Sequence, residues 1–371
     1  MRVALVVASY QPRLGGVETH VRRLAERCAA AGDEVTVLTH QPGGLPAEES
    51  AGPVRVLRFP LTVGLANYPL SLPLFRYLRA HAPGFDLVHA HSYHTLVGQA
   101  AVGAGLPFVF TPHYHGTGHT RLAALLHHLY RPAGGRLFAA ADAVVCVSSA
   151  ERDLVVGDFP ATARKTWLIP NGTDPRAASG RAERRAADEP MVLTIGRLER
   201  YKRVDLIISA CRALGPEARL VVVGDGPDRP RLERLARTAD RIGCVRFAGR
   251  VSDAELDELL ATATVVTSAS EHEAFGLIVA DGLAAGARVV ASAIPAHLEV
   301  GALAGPGAPI AYVDPASTGE FTAALAAALA LGRQPSARVR LPSWTDVAER
   351  TRELYALVAA RDRGMLRREP A

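Results

Sequence analysis

The chain has 371 residues, of which 49% are hydrophobic and 21% are charged, and its formal net charge is +5. This balance excludes a disordered chain, and no apolar run approaches the roughly 18 residues that cross a bilayer. The mild positive charge comes without a nucleic-acid-binding motif, so nucleic acid is not an expected partner. The length predicts two domains, since a single hydrophobic core rarely grows this large.

Short apolar runs alternate with helical patterns along the first half of the chain. The opening run VALVVAS lacks a cleavage-site pattern, so it predicts a buried strand and not a signal peptide. A helix ending at Gly32 follows, and EVTVLTH, LVHAH, FVFTPH and AVVCVSS continue the series of strands. Strands alternating with helices predict parallel β-α-β units. We therefore predict a first α/β domain over residues 1–172.

The remaining sequence predicts a linker, a second domain and a returning helix. Residues 173–190 are rich in Ala, Arg, Asp, Pro and Gly and lack apolar periodicity, which is typical of a linker. The strand and helix alternation restarts with MVLTIG, so the second domain is predicted over 191–343. The final helix, 344–371, is predicted to pack back on the first domain. The fold class is then α/β, with two Rossmann-like doubly wound domains facing across a cleft.

The cysteines indicate a reducing compartment. They are scattered through apolar segments without metal-ligand or redox-motif spacing, so we expect reduced core thiols in a cytoplasmic protein. Very high Ala and Arg usage suggests a bacterial source. The four cysteines are Cys28, Cys146, Cys211 and Cys244.

Polar and glycine-rich loops follow several predicted strands, which is where ligands bind in open parallel sheets. Gly15 and Gly16 precede the first helix, where backbone N–H groups can approach an anion, although a pair of glycines is more often just a turn. The Gly224–Gly226 turn lacks the third glycine of a dinucleotide fingerprint, so a nicotinamide enzyme is not predicted.

Arg197 and Lys202 open the second domain. Only two of the 42 basic residues are lysines, Lys165 and Lys202, and a lysine kept in such a chain indicates a site that needs a compact ammonium. Arg197 directly follows a strand and Lys202 comes five residues later. We interpret the two side chains as a clamp for a diphosphate; ordinary surface salt bridges are the alternative.

Two acids, Glu273 and Asp281, lie near a predicted helix start in the second domain. Glu273 is in the loop just before the helix, and Asp281 is inside the helix. The helix is predicted over AFGLIVADGLAAG, so the N–H groups of Phe275, Gly276 and Leu277 are free to bind an anion. Carboxylates suit sugar hydroxyls because they accept two hydrogen bonds. Glu273 is then expected nearer the phosphate end of a nucleotide and Asp281 nearer its ribose. A helix cap and a solvated face are the alternatives.

Five short motifs occur in one order and spacing: Gly15-Gly16-Val17-Glu18, Pro170-Asn171-Gly172-Thr173-Asp174, Gly196-Arg197…Lys202, Gly224-Asp225-Gly226-Pro227 and Glu273-x7-Asp281. Together they resemble the retaining glycosyltransferases of family 4, which have the GT-B fold of two Rossmann-like domains. The resemblance covers nearly the whole chain.

The resemblance implies a catalytic group made of His113, Arg197, Lys202 and Glu273. Arg197 and Lys202 would neutralise the diphosphate as the sugar leaves. Glu273 would hold hydroxyls of the donor sugar, and His113 resembles the family histidine near that sugar.

The resemblance also implies donor contacts. Gly15 and Gly16 would approach the donor phosphate, the amides of 275–277 would lie nearby, and Asp281 would bind the ribose. The family usually has Glu at this last position, so a water bridge to the shorter Asp281 is the alternative to direct contact.

Histidines in the first domain raise the question of a metal. His113, His115 and His119 are close in sequence, but no carboxylate or cysteine completes a set, so no metal site is predicted. No cofactor is implied, and a UDP- or GDP-hexose would serve as co-substrate. His91, His115 and Glu18 are candidate contacts for a hydroxyl acceptor, with a core or loop role as the alternative.

The predicted activity is metal-independent hexosyl transfer with retention to a glycan, glycolipid or small natural product. The alternatives are a GT-B epimerase or phosphorylase and a non-catalytic sugar-nucleotide-binding partner subunit. The basic, apolar segment 121–138 predicts either peripheral contact with the inner face of a membrane or a plain core and lid role.

Overall fold

The structure, a computed structural model, describes residues 1–13, 15–65, 68–116, 121–174, 190–215, 219–237, 244–334 and 339–362. The side chains of 64–65, 68, 121–129 and 361–362 are not described. Most of the predicted linker 173–190, residues 363–371 of the predicted final helix and His119 thus lie outside the described residues.

The chain divides into two compact units, Met1–Asn171 with Trp344–Ala371, and Gly172–Ser343. The strands of the first unit are β1 Arg2–Val6, β2 Glu34–His40, β3 Glu48–Ala51, β4 Val54–Phe59, β5 Val63–Leu65, β6 Tyr68–Leu70, β7 Leu87–His91, β8 Phe108–Thr111, β9 Ala143–Cys146 and β10 Thr166–Leu168. Its helices are α1 Gly16–Ala30, α2 Leu72–His81, α3 Arg121–Ala140, α4 Ser149–Asp158 and α11 Trp344–Asp362.

The second unit contains the remaining strands and helices. The strands are β11 Met191–Ile195, β12 Arg219–Val223, β13 Val245–Gly249, β14 Val265–Ser268, β15 Arg288–Ser292 and β16 Ile310–Val313. The helices are α5 Val204–Leu214, α6 Arg229–Arg237, α7 Asp253–Thr262, α8 Leu277–Ala284, α9 Pro295–Ala304 and α10 Thr318–Leu331. Short 3-10 helices cover Ala82–Gly84, Val97–Ala100, Pro160–Lys165 and Arg200–Lys202.

The sheet of the first unit has the order β10-β9-β8-β7-β1-β2-β4-β3. Its pairs are parallel except β3 with β4, and β5 and β6 form a separate antiparallel hairpin. Successive strands are added to one side of β1 as far as β4 and to its other side from β7 onwards. The loops after β1 and β7 therefore diverge at a topological switch point of the sheet. The glycines after β1 and His91 at the end of β7 lie there.

The sheet of the second unit is entirely parallel, in the order β13-β12-β11-β14-β15-β16. Near-continuous apolar runs such as RLVVV and RVVAS form its strands, because both faces of a parallel sheet are covered by helices. Its switch point lies between β11 and β14. The predicted α/β class, with two doubly wound parallel sheets, is confirmed.

The last helix belongs to the first unit and packs on α1. Arg352 Nε donates to Asp33 Oδ2 at 2.6 Å, and the N-terminal ammonium donates to Asp33 Oδ1 at 2.7 Å. On the inner face, the Tyr355 hydroxyl lies 2.7 Å from Nδ1 of His89 on β7. The contacts of Arg352 and Tyr355 connect residues more than 250 positions apart, so only the folded chain brings them together.

All four cysteines are free thiols, and three of them are buried. Cys244, directly before the first residue of β13, is only half-buried, so the prediction that it is a core thiol is wrong. Among the described residues, no helix combines the length and the apolar character that crossing a membrane requires.

Candidate active site

The loops after β11 and β14 form a pocket at the switch point of the second sheet. Parallel pairing of the two strands carries both loops to the same edge. Side chains from both loops therefore line one pocket, among them Arg197, Lys202, Ser268, Ser270 and Glu273.

Lys202 and Glu273 form an ion pair in this pocket. Lys202 Nζ lies 2.5 Å from Glu273 Oε1, and the two side chains are only 20% and 15% exposed. The same oxygen accepts a hydrogen bond of 2.8 Å from Ser270 Oγ, which in turn lies 3.2 Å from Ser268 Oγ. Both of these contacts use Oε1, so neither of them occupies Oε2, the second carboxylate oxygen of Glu273.

The environment keeps both members of the pair charged. Burial opposes ionisation of Glu273, but the ammonium of Lys202 and the Ser270 hydroxyl outweigh it and lower the pKa of Glu273 to about 2. Burial likewise opposes the charge of Lys202, and the Glu273 carboxylate outweighs it and raises the pKa of Lys202. At neutral pH the pocket therefore holds a fixed anion and a fixed cation.

The ion pair is expected to stabilise the protein at neutral pH and to lose this effect in acid. The folded-state pKa of Glu273 is about 2, below the ordinary value of 4.5, so the stabilisation is full above pH 4.5 and disappears as the pH falls towards 2. Its size is on the order of 3 kcal/mol at neutral pH. Urea denaturation of wild type and Glu273→Gln at pH 7 and pH 3 measures it. A difference in unfolding free energy that does not shrink at pH 3 would contradict this assignment.

Arg197 lies at the exposed rim of the pocket. Its side chain is 47% exposed and its Nε is 3.0 Å from Glu199 Oε1. The Gly224–Gly226 turn holds this loop, because Leu198 N–H donates to Asp225 O at 3.0 Å. A Cβ at Gly226 would lie 2.7 Å from Leu198 N and closer still to Leu198 O. The two glycines therefore allow the backbone of the 224–226 turn to pack against the backbone of residues 196–198. The sequence motif alone did not identify this role.

Helix α8 begins at Leu277, three residues later than the sequence pattern predicted. Gly276 is the N-cap residue with φ +100°, a left-handed conformation that ends the preceding loop. Phe275 is buried, whereas Asp281 is half-buried on the second turn of the helix. The amides of the first turn lack partners within the helix, as at any helix start.

His297 on α9 packs directly against the Gly276 turn. Its Nδ1 donates to Ser292 O at 2.9 Å, and the imidazole is fully buried. A Cβ at Gly276 would lie 2.8 Å from His297 Cδ2. Both the φ angle and this contact therefore require glycine at 276.

Gly276→Ala is expected to lower the unfolding free energy by about 2–3 kcal/mol, from the left-handed φ and the contact with His297. Gly32→Ala is the control, because Gly32 follows the end of helix α1 with φ +92° and nothing within 4 Å of an added Cβ. It should cost only about 1–2 kcal/mol, the backbone part alone. Thermal melting of both variants measures the difference. Equal losses would show that the His297 contact has no effect.

Glycines also shape the switch point of the first unit. Gly15 is the N-cap residue of α1, and a Cβ there would collide with the carboxylate of Glu18, whose other oxygen accepts a hydrogen bond from Ser9. The hydrogen bond from Ser9 to Glu18 therefore bridges the loop between β1 and α1. Gly16 is the first residue of α1.

Three buried histidines meet beside this loop: His20 on α1, His91 at the end of β7 and His113 after β8. Their ring centroids are 5.0–5.8 Å apart. Burial lowers the pKa of His91 and His113 well below the ordinary value and that of His20 to about 4, so all three are neutral at pH 7.

The structure groups His113 differently from its sequence neighbours. It lies with His20 and His91, whereas the half-buried ring of His115 stacks on His94 at 6.5 Å. His113 has φ +48°, an uncommon conformation for a residue other than glycine. The next amide, Tyr114 N–H, donates to the buried carboxylate of Glu151 at 2.6 Å, which holds the loop in this conformation.

Comparison with known proteins identifies the chain. A model described as Glycosyltransferase Family 4 matches residues 14–177, and one described as Glycosyl transferases group 1 matches residues 176–337. The chain belongs to the family 4 and group 1 glycosyltransferases.

Curated relatives and solved structures agree with this assignment. The glycosyltransferase is 31% identical to a D-inositol 3-phosphate glycosyltransferase of Kineococcus radiotolerans, over 92% of this chain and 90% of the other. It is 32% identical to a GDP-mannose-dependent alpha-mannosyltransferase of Mycobacterium tuberculosis, over 78% of this chain and 79% of the other. Its fold is similar to that of sucrose-phosphate synthase from Thermosynechococcus elongatus, with a TM-score of 0.80 and 24% identity, covering 97% and 99% of the two chains.

These findings confirm the predicted family, the GT-B fold and an enzyme of the glycosyltransferase class. The roles of individual side chains in the glycosyltransferase stay predictions. Sequence reasoning missed His20, Glu151 and His297. Of these three, only Glu151 lies in a recognisable sequence pattern. Ser148-x-x-Glu151 is a capping-box pattern, and the Ser148 hydroxyl does cap α4.

Proposed function

We propose that this glycosyltransferase moves a hexosyl unit from a nucleoside-diphosphate hexose to a hydroxyl acceptor, with retention of configuration and without a metal ion. The named relative that uses GDP-mannose supports a nucleotide-sugar donor. The donor is a UDP- or a GDP-hexose.

The Lys202–Glu273 pair is the observation that carries this proposal. It joins a cation suited to a diphosphate and an anion suited to sugar hydroxyls, 2.5 Å apart at the switch point of the second sheet. Arg197 at the rim of the same pocket adds a second cation. Two cations can neutralise the charge that develops on the leaving diphosphate, and this is the task that a metal ion would otherwise perform.

Glu273 acts as a fixed hydrogen-bond acceptor and not as a general acid. Its pKa of about 2 keeps it ionised throughout the working pH range, so it has no proton to give to a leaving group. Its Oε2 accepts hydrogen bonds from hydroxyls of the donor hexose.

The donor is held along helix α8. The N–H groups of residues 275–277 face the anionic part of the nucleotide, since a helix start favours negative charge. Asp281, one turn further, accepts a hydrogen bond from the ribose directly or through a water molecule.

Transfer then proceeds on one face of the sugar. The acceptor hydroxyl attacks the anomeric carbon on the face that the diphosphate leaves, and its proton passes to the departing phosphate oxygen. One C–O bond forms and one breaks, so no covalent intermediate with the protein is required. His113 lies near the donor sugar in this scheme, and Gly15 and Gly16 approach the donor phosphate.

The acceptor is a hydroxyl compound bound by the first unit. Glu18, His91 and His115 are the candidate contacts: His91 is the last residue of β7, and Glu18 and His115 come after the carboxyl ends of β1 and β8. Contact of helix α3 with a membrane surface, to reach a lipid-linked acceptor, stays a prediction.

A panel of nucleotide sugars tests the donor. UDP- and GDP-hexoses at about 100 times their Kd should stabilise the protein by about 2.7 kcal/mol and raise Tm by about 5–10 °C. The productive donor is then incubated with candidate acceptors in EDTA, and NMR reads the anomeric configuration of the product. A parallel incubation without acceptor separates a transferase from an epimerase.

The expected product keeps the anomeric configuration of the donor and forms at the same rate with EDTA. An inverted product would overturn retention, and loss of turnover in EDTA would overturn metal independence. If no nucleotide sugar in the panel raises Tm, the donor assignment is wrong.

A further inference from the structure

We propose that Glu151 is a positioning residue of the transfer reaction, which acts through the backbone of the loop that carries His113. The inference rests on the proposed function, in which His113 lies near the donor sugar. Glu151 is in the first turn of α4 and only 1% exposed. It contacts neither donor nor acceptor in the proposed scheme, so its effect passes through the groups that its carboxylate holds.

The Glu151 carboxylate joins two loops at the carboxyl edge of the first sheet. Its Oε1 accepts a hydrogen bond of 2.6 Å from Tyr114 N–H, and its Oε2 accepts one of 2.7 Å from Val147 N–H. Tyr114 is in the loop after β8, and Val147 directly follows β9. Because each oxygen binds one backbone N–H, this bridge needs a side chain with two acceptor oxygens. Glutamine has only one, and its amide group would point a donor at the other N–H.

The backbone of His113 requires support of this kind. Its φ of +48° is in the left-handed region, which a residue other than glycine adopts at a cost. Such a conformation persists only where the surrounding structure enforces it, and it occurs mainly at functional sites. On one side of His113, the carbonyl of Pro112 accepts a hydrogen bond of 2.7 Å from Tyr93 N–H. On the other side Tyr114 N–H donates to Glu151, and of these two bonds only this one uses a side chain.

Helix α4 holds Tyr114 at a second point. The Tyr114 hydroxyl donates to Asp158 Oδ2 at 2.6 Å, and Asp158 lies seven residues after Glu151, on the same face of the helix. The helix thus fixes both the main chain and the ring of the residue that follows His113. A displacement of about 1 Å in a group that orients a reacting molecule can lower the rate by about 100-fold. The position of this loop is therefore expected to affect transfer.

A double-mutant cycle on kcat tests the inference. Glu151→Gln and His113→Ala are each expected to lower kcat by about 10–100-fold. In the His113→Ala background, Glu151→Gln should change kcat by less than about 2-fold, because the imidazole that Glu151 positions is gone. A carboxylate that only stabilises the fold would lower kcat in both backgrounds.

Binding of the nucleoside diphosphate gives a second measurement on the same proteins. The Kd of Glu151→Gln for UDP or GDP should stay within about 3-fold of wild type, because Lys202 and helix α8 belong to the second unit. Asp153→Asn is the matched control, since Asp153 is on the same helix with a side chain that is 71% exposed. It should keep wild-type kcat and Kd.

Circular dichroism and thermal melting check that each variant is folded. If Glu151→Gln does not fold, Glu151→Asp takes its place in the cycle. Aspartate keeps two acceptor oxygens but withdraws them by one bond from the two N–H groups, so kcat should fall by about 3–10-fold.

The outcomes separate this inference from the proposed function. An equal loss of kcat in both backgrounds, or wild-type kcat in the Glu151 variant beside a defective His113→Ala, would overturn the inference alone. Wild-type kcat in His113→Ala would remove the proposed role of His113 and this inference with it. Loss of kcat only where His113 is present supports the positioning role.

Discussion

Lys202→Ala is expected to lower kcat/KM for transfer by at least about 100-fold, because the side chain supplies positive charge where the diphosphate leaves. The substitution also leaves the 15%-exposed carboxylate of Glu273 without its counter-charge. Steady-state kinetics with saturating acceptor measures the change, and circular dichroism checks that the fold persists.

Lys165→Ala is the matched control, because Lys165 is the only other lysine in the chain. Its ammonium donates to Ala139 O and Ala141 O at 3.1 and 2.7 Å, in the first unit, whereas the residues of the pocket belong to the second unit. This variant should keep wild-type kcat/KM. Near-wild-type turnover in Lys202→Ala would remove the basis of the proposed donor site.

Gly226→Ala is expected to lower the unfolding free energy by about 2–3 kcal/mol and to reduce transfer together with it. The added Cβ would meet the backbone of Leu198, which cannot move aside as a flexible side chain can. Leu198 is bonded on both sides of this turn, since its N–H donates to Asp225 O and its carbonyl accepts from Asp228 N–H. The displaced loop carries Arg197, so donor affinity should fall as well.

Gly319→Ala provides the control in the same unit. Gly319 is an exposed residue in the first turn of α10, and an added Cβ there has nothing within 4 Å. Ala at this position should be neutral or stabilise by up to about 1 kcal/mol. Chemical denaturation compares the unfolding free energies of the two variants, and steady-state kinetics compares their KM for the donor. A Gly226→Ala protein as stable as Gly319→Ala would refute the close backbone approach.

The fold was predictable because its signals are local and repeated. Apolar runs of four to seven residues that alternate with helical patterns specify β-α-β units whatever their detailed contacts. The bounds were less certain: α8 begins at Leu277 because Gly276 takes a left-handed φ, and no pattern in the sequence encodes that angle.

The second-unit site was largely predictable for a related reason. Arg197, Lys202 and Glu273 each follow a strand of one parallel sheet, and the carboxyl ends of such strands meet at one edge. Their chemistry is readable from residue type and position. The direct Lys202–Glu273 ion pair was not predicted, since it depends on side-chain directions across 71 residues of chain.

The histidine cluster shows the opposite case. His113 and His115 are two positions apart in sequence, yet His113 joins His20 and His91, from other elements. A positive φ at His113 and the Glu151 carboxylate behind Tyr114 turn the imidazole towards α1. Spacing along the chain predicts neither effect.

The sequence by itself determined the family, the two α/β units and the residue types that end each strand, because periodicity and short motifs are properties of neighbouring residues. Only the tertiary structure decided which side chains share an environment: the Lys202–Glu273 pair, the Gly226 approach to Leu198 and the cluster of His20, His91 and His113. The reason is that burial, charge pairing and steric contact act between elements that the strand order brings together.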